Sequence, residues 1–274
     1  MPTHGSGTWA LVTGASDGIG QAFARTLAAQ GKHLILVARS GDRLRTLAAE
    51  LGSAHGVNCL VFDVDLGQPD AVTRLVRATV HLEVGTLIAA AGFGSSGPML
   101  DSDIDTELGM LDVNCRAVLA LCWHIGRRMR EQRRGAIVLM SSVLAFQGTP
   151  GSVNYAATKA YIQSLAEGLR VELGPHGVQV VACAPGPVAT GFASRAGLQM
   201  GRTASADGVA RETLAALGRR TTVRPGWLSR ALGWSLATLP RPMRVRVIGE
   251  VMKGMTAHQA HRLKPPAREP DMLG

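Results

Sequence analysis

Aromatic residues are scarce, at 4% of 274 residues, which argues against a binding module built on stacked rings. With 33 glycines and 46% hydrophobic residues, the mix favours an Ala/Val/Leu/Gly-rich layered sheet. Cysteine is also sparse. Cys59, Cys115, Cys122 and Cys183 stand singly among apolar neighbours with no CxxC pair, so neither a disulfide framework nor a zinc site is expected. They read as buried thiols in a reducing cytoplasm. His4, His258 and His261 have no convincing ligand partners, and no metal is expected. Residues 1–7 lack the basic region and apolar run of a secretory leader. No uninterrupted apolar segment approaches the ~20 residues of a spanning helix, so a soluble chain is expected.

Acidic residues are lacking in one region only. The net charge is +9, yet residues 1–191 hold 15 Lys/Arg against 15 Asp/Glu, leaving 14 against 5 after Gly191. A solvated basic face would account for this. So would attraction to a membrane surface, an acyl carrier or a phosphorylated substrate. Nucleic acid is not an expected partner, because neither a motif nor interleaved stacking aromatics accompany the basic residues.

The first two-thirds alternates short apolar or β-branched runs with helical periodicity. Strands are predicted at Trp9–Thr13, His33–Ala38, Val57–Phe62, Thr86–Ala90, Ala136–Ser141 and Val178–Ala184. Helices are predicted near 18–30, 41–51, 69–82, 103–132, 154–173 and 207–217. Strands joined by helix-length connections form a parallel sheet covered on both faces, the doubly wound α/β class, with its ligand beyond the strands' carboxyl ends. Residues 1–226 form this Rossmann-type domain, including a substrate loop near 191–206. An extended run, Thr221–Arg224, precedes two amphipathic helices near 227–238 and 242–256, where Trp227, Ala231 and Trp234 share a face with Leu228, Leu232 and Leu236. They belong to a 227–274 segment packed on or beside the same domain. Its end, Lys264–Gly274, carries three prolines and reads as disordered.

The first strand runs into Thr13-Gly14-Ala15-Ser16-Asp17-Gly18-Ile19-Gly20, with a helix starting at once. Glycines there permit close backbone approach to a pyrophosphate, which a helix N-terminus favours. The spacing is GxxxGxG and not GxGxxG; placed after the first strand of a βαβ unit, it points to a dinucleotide. An acid at the end of the second strand would bind a ribose 2′-hydroxyl, but here the strand ends Ala38-Arg39-Ser40. Arg39 offers a phosphate-binding fork, with Ser40 and Arg43 able to assist, so NADPH/NADP⁺ is expected over NADH.

Tyr155 and Lys159 are four apart at the start of a predicted helix, hence on one face. A phenol with a pKa of about 10 exchanges protons poorly at neutral pH, and a nearby ammonium is expected to lower that value. Thirteen residues before Tyr155, Ser142 ends the run Ile137–Ser142, where a hydroxyl can bond a developing alkoxide. With these positions in order, residues 8–226 resemble the short-chain dehydrogenase/reductase family in its NADP-preferring branch.

The resemblance implies roles residue by residue. Gly14, Gly18, Ile19 and Gly20, with Ser16 and Asp17, form the cofactor loop. Asp63 and Val64 flank the adenine, and Ala91 and Gly92 follow the fourth strand. Asn114 holds a water linked to Lys159. Ser142 orients the substrate, Tyr155 is the acid/base, and Lys159 binds the nicotinamide ribose and tunes the tyrosine. Pro185 and Gly186 match a PG motif, after which Val188 and Thr190 meet the nicotinamide end. A homodimer or homotetramer through the helices near 103–132 and 154–173 is implied as well.

Two departures stand out. The family's Asn-Asn-Ala-Gly is Ala89-Ala90-Ala91-Gly92 here, which removes a sheet-bracing amide at an expected cost in stability. Asp17 sits where some NADP-preferring members carry a basic residue. Phe93, Gly94, Leu144, Phe146, Gln147 and Phe192–Met200 are candidate pocket residues, and their apolar character suits a hydrophobic ketone or an acyl substrate. The expected function is NADPH-dependent carbonyl reduction or the reverse alcohol oxidation. The alternative is a non-catalytic NADP-binding sensor or scaffold.

Overall fold

The computed structural model describes residues 8–199 and 203–256. Lys264–Gly274, Met200 and the histidines at 4, 258 and 261 lie outside the described residues. Seven strands form one sheet: β1 (Trp9–Thr13), β2 (His33–Ala38), β3 (Cys59–Asp63), β4 (Val84–Ala89), β5 (Gly135–Met140), β6 (Val178–Cys183) and β7 (Thr222–Val223). Their order is β3-β2-β1-β4-β5-β6-β7, and every pairing is parallel. Parallel neighbours need crossovers, which α1 (Gly18–Ala29), α2 (Gly41–His55), α3 (Ala71–Ala78), α4 (Ile104–Leu111), α5 (Ala117–Glu131), α6 (Val153–Leu173), α7 (Phe192–Arg195) and α8 (Ala206–Ala216) supply. Two more helices, α9 (Trp227–Ala237) and α10 (Arg241–Thr256), follow β7.

The period-2 geometry of each strand distributes its side chains between two cores. Ala10, Val12, Leu34, Leu36, Val138 and Val181 pack with Phe23 and Leu27 of α1, Leu44 and Leu47 of α2, and Val209 of α8. Leu11, Ile35, Val37, Ile137, Leu139 and Val180 face the other way, onto Leu75 of α3, Val118, Leu121 and Ile125 of α5, and Ile162 of α6. Strands buried on both faces explain why the sequence shows continuous apolar runs and not alternation.

Four expectations are corrected. The helix read near 69–82 is only Ala71–Ala78, because Thr79 turns its hydroxyl back to the Leu75 carbonyl (2.8 Å) and the chain reverses at Leu82. The helix near 103–132 is not regular: α4 and α5 are joined by one wide π-helical turn, Asp112–Arg116. That joint makes Ile104–Glu131 one 28-residue helical run, long and apolar enough to cross a membrane by length and composition, contrary to expectation. Its α5 half is instead built into the second core. Finally, the tryptophans and leucines of α9 do not share a face. Trp227 and Trp234 are 64% and 76% exposed, whereas Leu236 is buried against Ile248 and Met252 of α10.

A hydroxyl from β1 braces the segment after β4. The buried Thr13 hydroxyl, at the end of β1, accepts a hydrogen bond from the Ala91 amide (3.0 Å) and reaches the Ile88 carbonyl (3.4 Å). Thr13→Val leaves that amide without its partner and is expected to cost about 1–2 kcal/mol, read as a lower urea midpoint at unchanged slope.

Candidate active site

All seven strands point the same way, so the turns after β1, β2, β4, β5 and β6 open at one edge of the sheet. Between them lies a cleft of about 600 Å³. Of the positions singled out in the sequence, Gly14, Ser16, Asp17, Gly18, Ile19, Gly20, Arg39, Ser40, Arg43, Val64, Ala91, Gly92, Ser142, Tyr155, Lys159, Pro185, Gly186, Val188 and Thr190 all line it. Asp63 and Asn114 do not. Asp63 is exposed, and its carboxylate lies against Gly41 at the start of α2, while Asp65 takes the place on the wall.

At one end, Ser142 follows β5 while Tyr155 and Lys159 stand one turn apart on α6. Ser141 anchors the helix to the strand by donating to the Lys159 carbonyl (3.2 Å). The Lys159 Nζ is 5.6 Å from the Tyr155 ring centroid and donates to the Met140 carbonyl (2.8 Å). Burial pushes the phenol of Tyr155 up to about 12, and a hydrogen bond with Ser142 only partly opposes this. Burial also lowers the Lys159 ammonium to about 8, against the pull of Cys115 and Cys183. Burial thus moves the Tyr155 phenol in the direction opposite to the acidification expected from Lys159. The Lys159 hydrogen bond is directed to a backbone carbonyl and not to the phenol.

The tyrosine ring is held tightly. It packs on Phe192 (centroids 5.4 Å apart), and a Cβ on Gly94 would come within 2.9 Å of Tyr155 Cδ2. Asn114, on the wide turn between α4 and α5, is buried behind this wall. Its amide donates to the Phe93 carbonyl (2.9 Å) and Thr158 Oγ1 (3.1 Å), and its oxygen accepts from the Phe93 amide (3.1 Å). Asn114 thus ties the segment after β4 to α6. A second tie comes from the buried Glu107, which accepts from Ser95 (2.6 Å) and Asn154 (2.8 Å) on either side of the Gly94–Tyr155 contact. Nothing in the sequence distinguishes Glu107 from the neighbouring acids of its helix.

At the other end, the left-handed φ of Gly18 (+55°) starts α1, and a Cβ there would lie 2.8 Å from Thr190 Cγ2. The bare backbone lets the loops after β1 and β6 close on each other. Asp17 does not cap α1 with its side chain. Burial alone would raise its pKa, but the hydrogen bond from Arg195 (2.9 Å) and the charges of Arg195 and Arg43 (3.6 Å) hold it below the usual carboxylate range. Its charge is thereby offset. Arg39 stays exposed on the cleft wall with no carboxylate in ion-pair range among the described residues. The residues present fit a dinucleotide: a glycine-rich cradle at a helix N-terminus, a cation beyond β2, and a polar Ser–Tyr–Lys group at the far end.

The remaining wall is apolar. Phe93, Gly94, Leu144, Phe192, Ala196 and Leu198 line it. Phe146 and Gln147 do not: Phe146 lies under the Arg224 guanidinium (4.4 Å), and Gln147 donates to the Val143 carbonyl (3.1 Å). The C-terminal helices also line the cleft, with Leu232 and Leu236 from α9 and Val247, Ile248, Val251, Met252 and Met255 from α10. Their helical periodicity was visible, but not which surface they cover. Ser229 of α9, buried, accepts from the Gly186 amide (2.7 Å) and so braces the loop after β6.

A doubly wound parallel sheet whose carboxyl edge joins a glycine cradle to a Ser–Tyr–Lys group defines a dinucleotide-dependent class of protein. A family profile, short chain dehydrogenase, matches residues 8–200. The chain belongs to the short-chain dehydrogenase/reductase family. It is 36% identical over 180 residues to a very-long-chain 3-oxoacyl-CoA reductase of Pyrenophora tritici-repentis, a match covering 64% of this chain and 53% of that relative. The chain thus spans about half the length of that reductase. Among solved structures, a 7beta-hydroxysteroid dehydrogenase superposes with a TM-score of 0.82 at 26% identity, covering 88% of this chain and 96% of the other. A short-chain dehydrogenase from Sphingobium yanoikuyae in complex with NADPH gives 0.77 at 28% identity, covering 97% and 100%.

The two shifted groups make a pH prediction. Tyr155, near 12, keeps its proton throughout the neutral range, whereas the Lys159 ammonium is present below about 8 and lost above it. A reaction at this site that needs the ammonium should have a flat rate below that value and fall by about tenfold per unit above it, read in a pH–rate profile. Since the unfolded chain holds the lysine proton up to about 10.5, this one group makes stability rise with pH between about 8 and 10.5.

Proposed function

We propose that the chain is an NADPH-dependent reductase of apolar ketones or ketoacyl carbonyls, also able to run the reverse oxidation. The observation that carries this reading is the grouping of Ser142, Tyr155 and Lys159 at the polar end of an otherwise apolar cleft, next to the glycine cradle. A phenol that keeps its proton at neutral pH suits a general acid, donating to a carbonyl oxygen as charge develops there. Ser142 orients that oxygen and shares its developing charge. Lys159 sets the local field and, held by Met140, can hydrogen-bond a ribose hydroxyl. The dinucleotide, when bound, supplies the hydride. Arg39 favours a 2′-phosphate, and the pairing of Asp17 with Arg43 and Arg195 keeps an uncompensated carboxylate away from it. NADPH in the Sphingobium relative supports the same preference.

The apolar walls support a hydrophobic substrate, in line with the acyl-CoA and steroid names among the similar proteins. We extend the reading to a homo-oligomer. Ile104, Leu108, Leu111, Leu119 and Trp123 form an exposed apolar stripe along the helical run 104–131, beside exposed Val153, Tyr161 and Val171 of α6.

NADPH oxidation with a panel of hydrophobic ketones tests the proposal. Tyr155→Phe should lower kcat by about 10²–10⁴ while NADPH still binds, followed by cofactor fluorescence. A wild-type chain that binds NADPH but reduces none of the panel would leave the sensor or scaffold reading. Arg39→Ala should weaken NADPH by about tenfold and leave NADH nearly unchanged, measured as KM for each. Equal loss for both cofactors would remove Arg39 as the discriminating residue.

A further inference from the structure

The helices α9 and α10 carry charge and apolar surface that the cleft does not use. From Trp227 to Thr256, five basic residues stand against one acid, Glu250. Lys253 pairs with that acid (2.7 Å), while Arg241 and Arg246 are exposed with no carboxylate in ion-pair range among the described residues. Bare apolar groups occur on the same two helices. Trp227 and Trp234 project from one side of α9, seven residues apart, and Met243, Val247 and Val251 form an exposed row on α10. Exposed indole, aliphatic and guanidinium groups carried by the same pair of helices suit the headgroup boundary of an anionic bilayer, where rings sit at the interface and cations meet phosphate. An acidic protein partner would call for the cations but not for the bare indoles.

This surface is continuous with the cleft. Val247 and Val251 are both exposed and part of its wall, and so is Ser235, next to Trp234. We propose that α9 and α10 form a docking surface for an anionic lipid bilayer, setting the apolar end of the cleft against the membrane. A sparingly soluble substrate then enters directly from the acyl region; this entry route rests on the carbonyl-reductase reading, whereas the docking does not.

Co-sedimentation of the full chain with phosphatidylcholine vesicles, with and without phosphatidylglycerol, tests the docking independently of activity. The chain should pellet with the anionic vesicles, and less so at high salt. The pairs Arg241→Glu/Arg246→Glu and Trp227→Ser/Trp234→Ser should each weaken binding by about tenfold or more while reduction of a soluble ketone and thermal melting stay unchanged. A chain that pellets with neither vesicle overturns the proposal. So do variants that pellet like the parent, which would place the contact elsewhere. Binding to an acidic acyl carrier protein that is lost with the arginines but not the tryptophans, without vesicle binding, assigns the surface to a protein instead.

Discussion

Seven strands running in one direction leave every strand-to-helix turn at the same edge of the sheet, and that constraint organises the molecule. The turn after β1 is the glycine cradle, the turn after β2 carries Arg39, and the segment after β4 is Ala90–Gly94. Beyond β5 comes Ser142, and beyond β6 the Pro185–Thr190 loop. A single strand reversed would send one of these to the far edge. The bridge from Thr13 to the Ala91 amide locks the centre, where the strand order switches direction between β1 and β4.

Within that frame, burial sets the electrostatics of the polar end. Lys159 is nearly without solvent and donates to the Met140 carbonyl, while the Tyr155 phenol is pushed above its ordinary pKa. Desolvation opposes charge on both side chains, so it stabilises the neutral phenol and weakens the hold of the ammonium on its proton. A neutral phenol beside a buried ammonium is the arrangement on which the proposed carbonyl chemistry rests. The rigid surroundings matter as much as the pair. Asn114 and Glu107 fix the backbone on either side of the Gly94–Tyr155 contact, so the hydroxyl is presented from a wall that cannot easily retreat.

Most of the fold and much of the site were legible in the sequence because they rest on local rules. β1 and β2 fall at the residues their apolar runs mark, and α1 begins at Gly18 as the glycine spacing requires. All but two of the positions given catalytic or cofactor roles meet at one cleft. What was not legible depends on neighbours distant in sequence. The wide turn that places Asn114 carries no signature in Asp112–Arg116, and Glu107 looks like any acid on a helix until Ser95 and Asn154 close on it. The faces of α9 were misassigned because periodicity gives the angle between side chains but not which direction is covered. Only α10, packed through Ile248 and Met252, decides that the leucines turn in and the tryptophans out.

By itself the sequence determined the strand and helix order, the glycine cradle, the cation after β2, the four-residue spacing of Tyr155 and Lys159, and the basic surplus after Gly191. These follow from backbone sterics and helical geometry over short stretches of chain. Tertiary structure decided the burial of the tyrosine, the pairing of Asp17 between Arg43 and Arg195, and the C-terminal helices as a wall of the cleft. Solvation and charge pairing depend on what lies within a few ångströms in space, and that proximity exists only after the chain has folded.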